Sequence, residues 1–255
     1  MTYSILILGG TAEAKALAAM LLASPDYEIL LSLAGRTKTP AEQPVPVRIG
    51  GFGGAEGLAA FIREKGVDLL INATHPFAAR ISRNAAEAAI STGVNILALR
   101  RPAWSRQKGD HWQEVADIPA AVAALDIAPR RVFLTLGRQE LVPFAAMKQH
   151  RYLVRSVDPV EPPLDLPHVS YITARGPFSE SDEIALLKQH EIDLIVSKNS
   201  GGTASAAKIN AARRLGIEVV LIERPRLPDV PSAKSVEELA GMVRHWELSA
   251  RKRGE

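Results

Sequence analysis

The chain has 255 residues, enough for one large domain or two small ones, and its 47% hydrophobic, 23% charged and 5% aromatic content excludes intrinsic disorder. The net charge of +3 is spread along the chain apart from Arg251-Lys252-Arg253, which favours an acidic small ligand over a nucleic-acid partner. Cysteine is absent, excluding disulfides and thiolate chemistry, and neither a signal-peptide pattern nor a membrane-length apolar run is found, so a cytoplasmic protein without metal or membrane contact is expected.

Residues 4–8 form a continuous apolar run of strand length, fit for a parallel strand buried on both faces. The run breaks at Gly9-Gly10 and passes into a helix over residues 12–22, with Thr11 as its cap. Such a turn collects backbone N–H groups at the positive end of a helix dipole, which suits a phosphate. It lacks the third glycine of G-x-G-x-x-G, however, and a plain strand-to-helix turn fits it as well.

A second strand over residues 28–33 ends in Ala34-Gly35-Arg36-Thr37. In a dinucleotide-binding unit an acid at this point selects NAD and an arginine accommodates the extra phosphate of NADP. Arg36 with Thr37 therefore points to NADPH, against the plain alternative of a solvated loop arginine. A third strand, 45–49, runs into Gly50-Gly51-Phe52-Gly53-Gly54, where the backbone turns sharply and Phe52 either covers an adenine or fills the core. After a helix at 55–65, a fourth strand at 67–72 opens onto Asn72-Ala73-Thr74-His75-Pro76. Open α/β sheets bind ligands at the carboxyl ends of their strands. His75 is thus a candidate hydrogen-bond or proton donor and Thr74 an anchor for a phosphate or the nicotinamide amide; alternatively Thr74 and Pro76 only start the helix that runs to about residue 92. A fifth strand, 95–99, leads to a domain boundary within 101–110.

The second half repeats the first. Strands are expected at 131–136, 152–157, 169–173 and 193–197, with helices at 118–125, 179–190 and 236–249. Gly9 corresponds to Gly137, Asp68 to Asp193, Gly93 to Gly216 and Arg101-Pro102 to Arg224-Pro225, at separations of 123 to 128 residues. The fold expected is α/β: two Rossmann-like three-layer domains with mainly parallel sheets, residues 1–102 and 103–255, and a ligand cleft between them. Lys198-Asn199-Ser200-Gly201-Gly202 gathers an ammonium, an amide, a hydroxyl and backbone N–H groups suited to carboxylates or phosphates, and Arg138 and Arg175 follow the neighbouring strands.

Five of these stretches together, Leu8-Gly9-Gly10-Thr11-Ala12-Glu13-Ala14, Ser32-Leu33-Ala34-Gly35-Arg36-Thr37, Gly50-Gly51-Phe52-Gly53-Gly54, Ala73-Thr74-His75-Pro76-Phe77-Ala78 and Ser197-Lys198-Asn199-Ser200-Gly201-Gly202, resemble the precorrin-6A reductase family of cobalamin biosynthesis. The resemblance runs from about residue 5 to 223. It implies transfer of a hydride from NADPH to one double bond of the precorrin-6A macrocycle, with a proton added beside it, giving precorrin-6B. On that reading the first domain binds NADPH through Gly9, Gly10, Thr11, Glu13, Arg36, Thr37, Gly51, Phe52, Gly53, Thr74 and His75. The second binds the tetrapyrrole through Arg138, Arg175, Lys198, Asn199, Ser200 and Gly201, with Lys198 and His75 as catalytic candidates. A monomer without nucleic-acid or membrane partners is expected. The alternatives are an NADH-dependent reductase of cobalt-precorrin-6A and a non-catalytic NADPH- or tetrapyrrole-binding protein; a methyltransferase would call for an acid where Arg36 stands.

Overall fold

A computed structural model describes residues 2–35 and 41–254, so the expectations placed on Arg36 and Thr37 lie outside the described residues. The chain divides into two compact units, one made of Met1–Pro102 with Pro225–Glu255 and the other of Ala103–Arg224.

In chain order the first stretch forms β1 (Tyr3–Leu8), α1 (Ala12–Leu21), β2 (Tyr27–Leu33), β3 (Val47–Ile49), α2 (Ala55–Lys65), β4 (Leu69–Asn72), α3 (Ala79–Thr92) and β5 (Asn95–Leu99). The second unit follows with β6 (His111–Val115), α4 (Ile118–Ala123), β7 (Arg131–Thr135), α5 (Arg138–Leu141) running into a 3-10 turn (Val142–Ala146), β8 (Arg151–Ser156), β9 (Val169–Thr173), α6 (Glu180–Gln189), β10 (Leu194–Lys198), α7 (Ala207–Leu215) and β11 (Glu218–Ile222). The chain closes with β12 (Ser232–Ala233) and α8 (Val236–Gly254).

All pairings in the first sheet are parallel, in the order β3-β2-β1-β4-β5-β12. This is the 3-2-1-4-5-6 order of dinucleotide-binding sheets. Its alternation explains why β1 reads as unbroken apolar sequence. Ile5 and Ile7 enter the core beneath α1 and α8, while Leu6 and Leu8 enter the core on the opposite face with Leu58 of α2 and Ala85 of α3. Leu69 and Ile71 of β4 divide from Leu70 in the same way.

The second sheet is also wholly parallel, in the order β9-β8-β7-β10-β11-β6. With β7 as its first strand, the arrangement is again 3-2-1-4-5 plus a sixth strand beyond the fifth. The sixth position is filled differently in each sheet. In the second it is taken by β6, which precedes the unit's other strands in sequence; in the first it is taken by β12, after the chain has completed the second unit.

Two expectations are corrected by this arrangement. Residues 225–255 belong to the first unit, because Ser232 and Ala233 pair with Ala98 and Leu99 of β5, and Leu239, Ala240 and Val243 of α8 are buried against Tyr3, Leu97 and Leu99. Arg251 also pairs with Asp26 at 2.9 Å, and Glu247 accepts a hydrogen bond from Tyr27 at 2.5 Å, which fixes the helix across the amino ends of β1 and β2. Burying a leucine such as Leu239 contributes about 2 kcal/mol to this docking. The second correction is β6, a strand at His111–Val115 where none was expected. Among the described residues no helix is long and apolar enough to cross a membrane.

Candidate functional site

Three of the loops singled out in the first half leave the carboxyl ends of β1, β3 and β4 of one parallel sheet. Gly9 is packed: a Cβ there would stand 2.6 Å from Leu31 Cδ1 and 3.1 Å from Ala14 Cβ, so its absence lets β2 and α1 close on the turn. Gly10 has φ +105° with nothing within 4 Å of its would-be Cβ, leaving its backbone open to a ligand. Between them these residues give the turn both properties required for a phosphate at a helix start.

Thr11 and Glu13 have partners within the unit. The Thr11 hydroxyl caps α1 by accepting from Ala14 N at 3.0 Å and donates to Ala73 O at 2.9 Å, tying the β1 turn to the β4 turn. Glu13 pairs with Arg101, beyond β5, at 2.6 Å. Both side chains thus set the shape and charge of the turn.

After β3 the organiser is Arg48, a residue the sequence did not mark. Its guanidinium donates to Gly50 O at 2.6 Å and Gly51 O at 2.8 Å and lies 3.9 Å from the Phe52 ring centre. Phe52 in turn meets Phe61 edge-on at 5.1 Å and packs, half-buried, against the core. The exposed Gly51 and Gly53 leave open space, and Gly54 begins α2 without a side-chain cap.

At the β4 exit, the buried Asn72 donates to Ser82 Oγ at 3.0 Å and its Oδ1 accepts from the Thr74 hydroxyl at 2.7 Å. Thr74 is buried. His75 is half-buried, and its Nδ1 accepts from Phe77 N at 3.2 Å. In the neutral ring that bond leaves the proton on Nε2, making the outer nitrogen a donor. The helix begins only at Ala79, beyond an Ala78 with no side-chain cap, so Thr74 and Pro76 do not start it.

In the second unit, Arg138, Arg175 and Lys198-Asn199-Ser200-Gly201 all follow carboxyl ends of strands in one sheet. Arg138 is the half-buried first residue of α5, and Arg175 is exposed in the loop after β9. Lys198 is ion-paired with Glu140 of α5, whose other oxygen accepts from Gly137 N at 2.9 Å. Asn199 is buried and holds Trp104 by two bonds, Trp104 N to Oδ1 at 2.8 Å and Nδ2 to Trp104 O at 3.0 Å. Arg224 donates to Asn199 O at 2.8 Å and to Ser200 O at 2.9 Å, and Gly201 is buried. The repeated Arg-Pro pair thus serves related ends, Arg101 bracing the turn after β1 and Arg224 the turn after β10.

Behind this turn lies a charge cluster that the sequence did not reveal. Lys208, near the start of α7, is buried with Nζ 3.1 Å from Ser205 O and 5.3 Å from the Trp104 ring centre. Burial, with Arg155 adding repulsion, pushes its pKa down to about 8 against the pull of Glu183. The half-buried Arg155 and the buried Glu183 pair at 2.5 Å, and Arg155 lies 3.8 Å from the Phe178 ring centre. Among the described residues no cluster of side chains could hold a metal ion.

Fold and turns define a protein of two Rossmann-like units, the first with the strand order and open glycine turn of a dinucleotide-binding unit. The family model described as precorrin-6x reductase CbiJ/CobK matches residues 4–244. A precorrin-6A reductase from Sinorhizobium sp. is 55% identical over 95% of this chain and 93% of its own length. A cobalt-precorrin-6A reductase from Priestia megaterium is 29% identical, covering 88% of this chain and 91% of its own. A solved structure named CobK precorrin-6A reductase superposes with a TM-score of 0.92 at 47% identity, covering 96% and 97% of the two chains. The chain belongs to the precorrin-6x reductase family, reductases of cobalamin biosynthesis.

Proposed function

We propose that this protein uses NADPH to reduce one double bond of precorrin-6A, giving precorrin-6B, with the nucleotide held by the first unit and the tetrapyrrole by the second. The observation that carries the proposal is the β1–β4 switch point of a 3-2-1-4-5-6 sheet, which opens on the exposed Gly10 turn in a chain of the precorrin-6x reductase family.

The residues present fit the nucleotide. Gly9 and Gly10 with the start of α1 suit the pyrophosphate, and the open Gly51 and Gly53 admit close approach of the adenosine end. Arg36 supplies a guanidinium for the 2′-phosphate. His75, with its proton on Nε2, is a donor for the nicotinamide carboxamide. NADPH, when bound, supplies the hydride.

The second unit's contribution is charge and orientation. Lys198, Arg138 and Arg175 present cations suited to a substrate ringed with acetate and propionate groups. The Glu140 carboxylate tempers and aims Lys198. The higher identity to the relative named for precorrin-6A than to the one named for cobalt-precorrin-6A favours the metal-free substrate. Cytoplasmic location and a monomeric state complete the reading.

Arg36 tests the cofactor assignment. Arg36→Ala is expected to weaken NADPH about tenfold or more, the value of a charge-assisted contact, and to leave NADH within about twofold. Equal losses for both nucleotides would remove Arg36 from this role.

A further inference from the structure

The carbonyls of the turn after β10 are bound from behind by two side chains. Ser200 O accepts from Arg224 Nη2 at 2.9 Å, and Gly202 O accepts from Trp104 Nε1 at 2.9 Å. Cis peptides occur only before Pro162 and Pro177 among the described residues, so the peptide units 200–201 and 202–203 are trans. In a trans peptide the N–H points opposite to the C=O. The N–H of Gly201 is therefore directed away from Arg224, and that of Thr203 away from the Trp104 indole. Neither N–H has a hydrogen-bond partner among the described residues. For Gly201, which is buried, an unpaired donor is costly until something accepts from it.

Trp104 is itself fixed for this task. Asn199 binds both its backbone groups, at 2.8 and 3.0 Å, and Lys208 lies 5.3 Å from its ring centre. Asn199 is anchored in turn through its own N–H to Ile222 O at 2.9 Å and its carbonyl to Arg224 Nε at 2.8 Å. One buried residue, through its carboxamide and its backbone, thus joins the segment entering the second unit, the turn, and the residue that ends β11.

We infer that Trp104, Asn199 and Arg224 are positioning residues which orient the Ser200–Thr203 peptide groups so that the N–H groups of Gly201 and Thr203 donate to one carboxylate of the tetrapyrrole, beside the Lys198 ammonium. The inference rests on the proposed function and adds the substrate subsite. It also reassigns Asn199, whose carboxamide is committed to Trp104 rather than to a ligand.

Trp104→Phe removes the indole donor to Gly202 O and keeps a ring for Lys208 and for packing. With wild-type protein as reference, steady-state kinetics are measured with precorrin-6A and NADPH each varied, alongside thermal melting. The expected result is a rise of about tenfold in the KM for precorrin-6A, the value of one charged hydrogen bond, with the KM for NADPH within about twofold. Arg224→Lys, which retains a single donor, is expected to fall between wild type and Arg224→Ala. An unchanged precorrin-6A KM in Trp104→Phe, or equal increases for both substrates, overturns the inference. Should Trp104→Phe melt too early to assay, the Arg224 pair decides by the same criterion. An inert wild type sinks the proposed function and this inference together, whereas an active wild type with an unaltered variant sinks this inference alone.

Discussion

Glu140 serves two strands at once: one carboxylate oxygen accepts the Gly137 N–H at the end of β7, and the other holds the Lys198 ammonium at the end of β10. On the proposed function, a substrate carboxylate arriving at Lys198 would compete with Glu140 for the same charge. Lys198→Ala is expected to raise the KM for precorrin-6A about 10- to 100-fold and leave the KM for the nicotinamide cofactor within about twofold. Glu140→Gln keeps an acceptor for Gly137 and removes the competing charge, so it should lower the precorrin-6A KM by a few-fold. Steady-state kinetics of the two variants check the opposite signs.

The turn after β3 depends on Gly57. A Cβ there would lie 1.7 Å from Phe52 O, a backbone atom in the middle of the glycine turn, whereas a Cβ on Gly9 would meet the movable end of Leu31 at 2.6 Å. Gly57→Ala should cost about 3 kcal/mol or more and Gly9→Ala about 1 to 2 kcal/mol, because overpacking is relieved cheaply only where a side chain can yield. Thermal melts compare the two directly. A Gly9→Ala variant less stable than Gly57→Ala would contradict this ranking.

Acid sensitivity follows from His150. The ring is fully buried and its Nδ1 accepts from Arg130 N at 3.2 Å; burial lowers its pKa below the usual 6.5. The unfolded chain therefore binds this proton before the folded one does. Its contribution to stability is whole above about pH 6.5 and is lost as the pH falls from there through the folded pKa. His150→Leu should flatten the decline in melting temperature between about pH 6.5 and 5 relative to wild type. Parallel profiles would exclude His150 as the source.

Lys208 gives an experiment of the same sign at high pH. With its pKa near 8 against the usual 10.5, the folded protein bears the cost of a buried ammonium below pH 8 and sheds it as the pH rises toward 10.5. Lys208→Met, similar in length and apolar, should stabilise the protein at pH 7 by up to about 3 kcal/mol. The gain should shrink toward zero as the pH approaches 10.5. Denaturant unfolding at pH 7 and pH 10 measures the difference.

The sequence made the sheets and their exits legible because parallel strands buried on both faces leave unbroken apolar runs, and those of β1, β4 and β10 stop at Gly9, Asn72 and Ser197. It concealed β6, where Trp112 is the one buried residue in an edge strand of otherwise polar character. It also concealed where the last helix goes. The apolar stripe of α8 states that it packs, but its destination depends on two residues of β12 pairing with β5, more than 130 positions earlier in the chain. Side-chain partners were the least legible. Nothing near Lys198 announces Glu140, and nothing near Asn199 announces Trp104, since those pairings exist only once β7, β10 and the entry segment lie together.

The most direct measurement is anaerobic mixing of the purified protein with precorrin-6A and either NADPH or NADH, following nicotinamide absorbance and the macrocycle spectrum together. The account predicts that NADPH is oxidised in step with the change in the macrocycle, one equivalent for each, and that NADH reacts at least tenfold more slowly at equal concentration, the margin assigned to Arg36. Binding of both ligands with neither spectrum changing would contradict it.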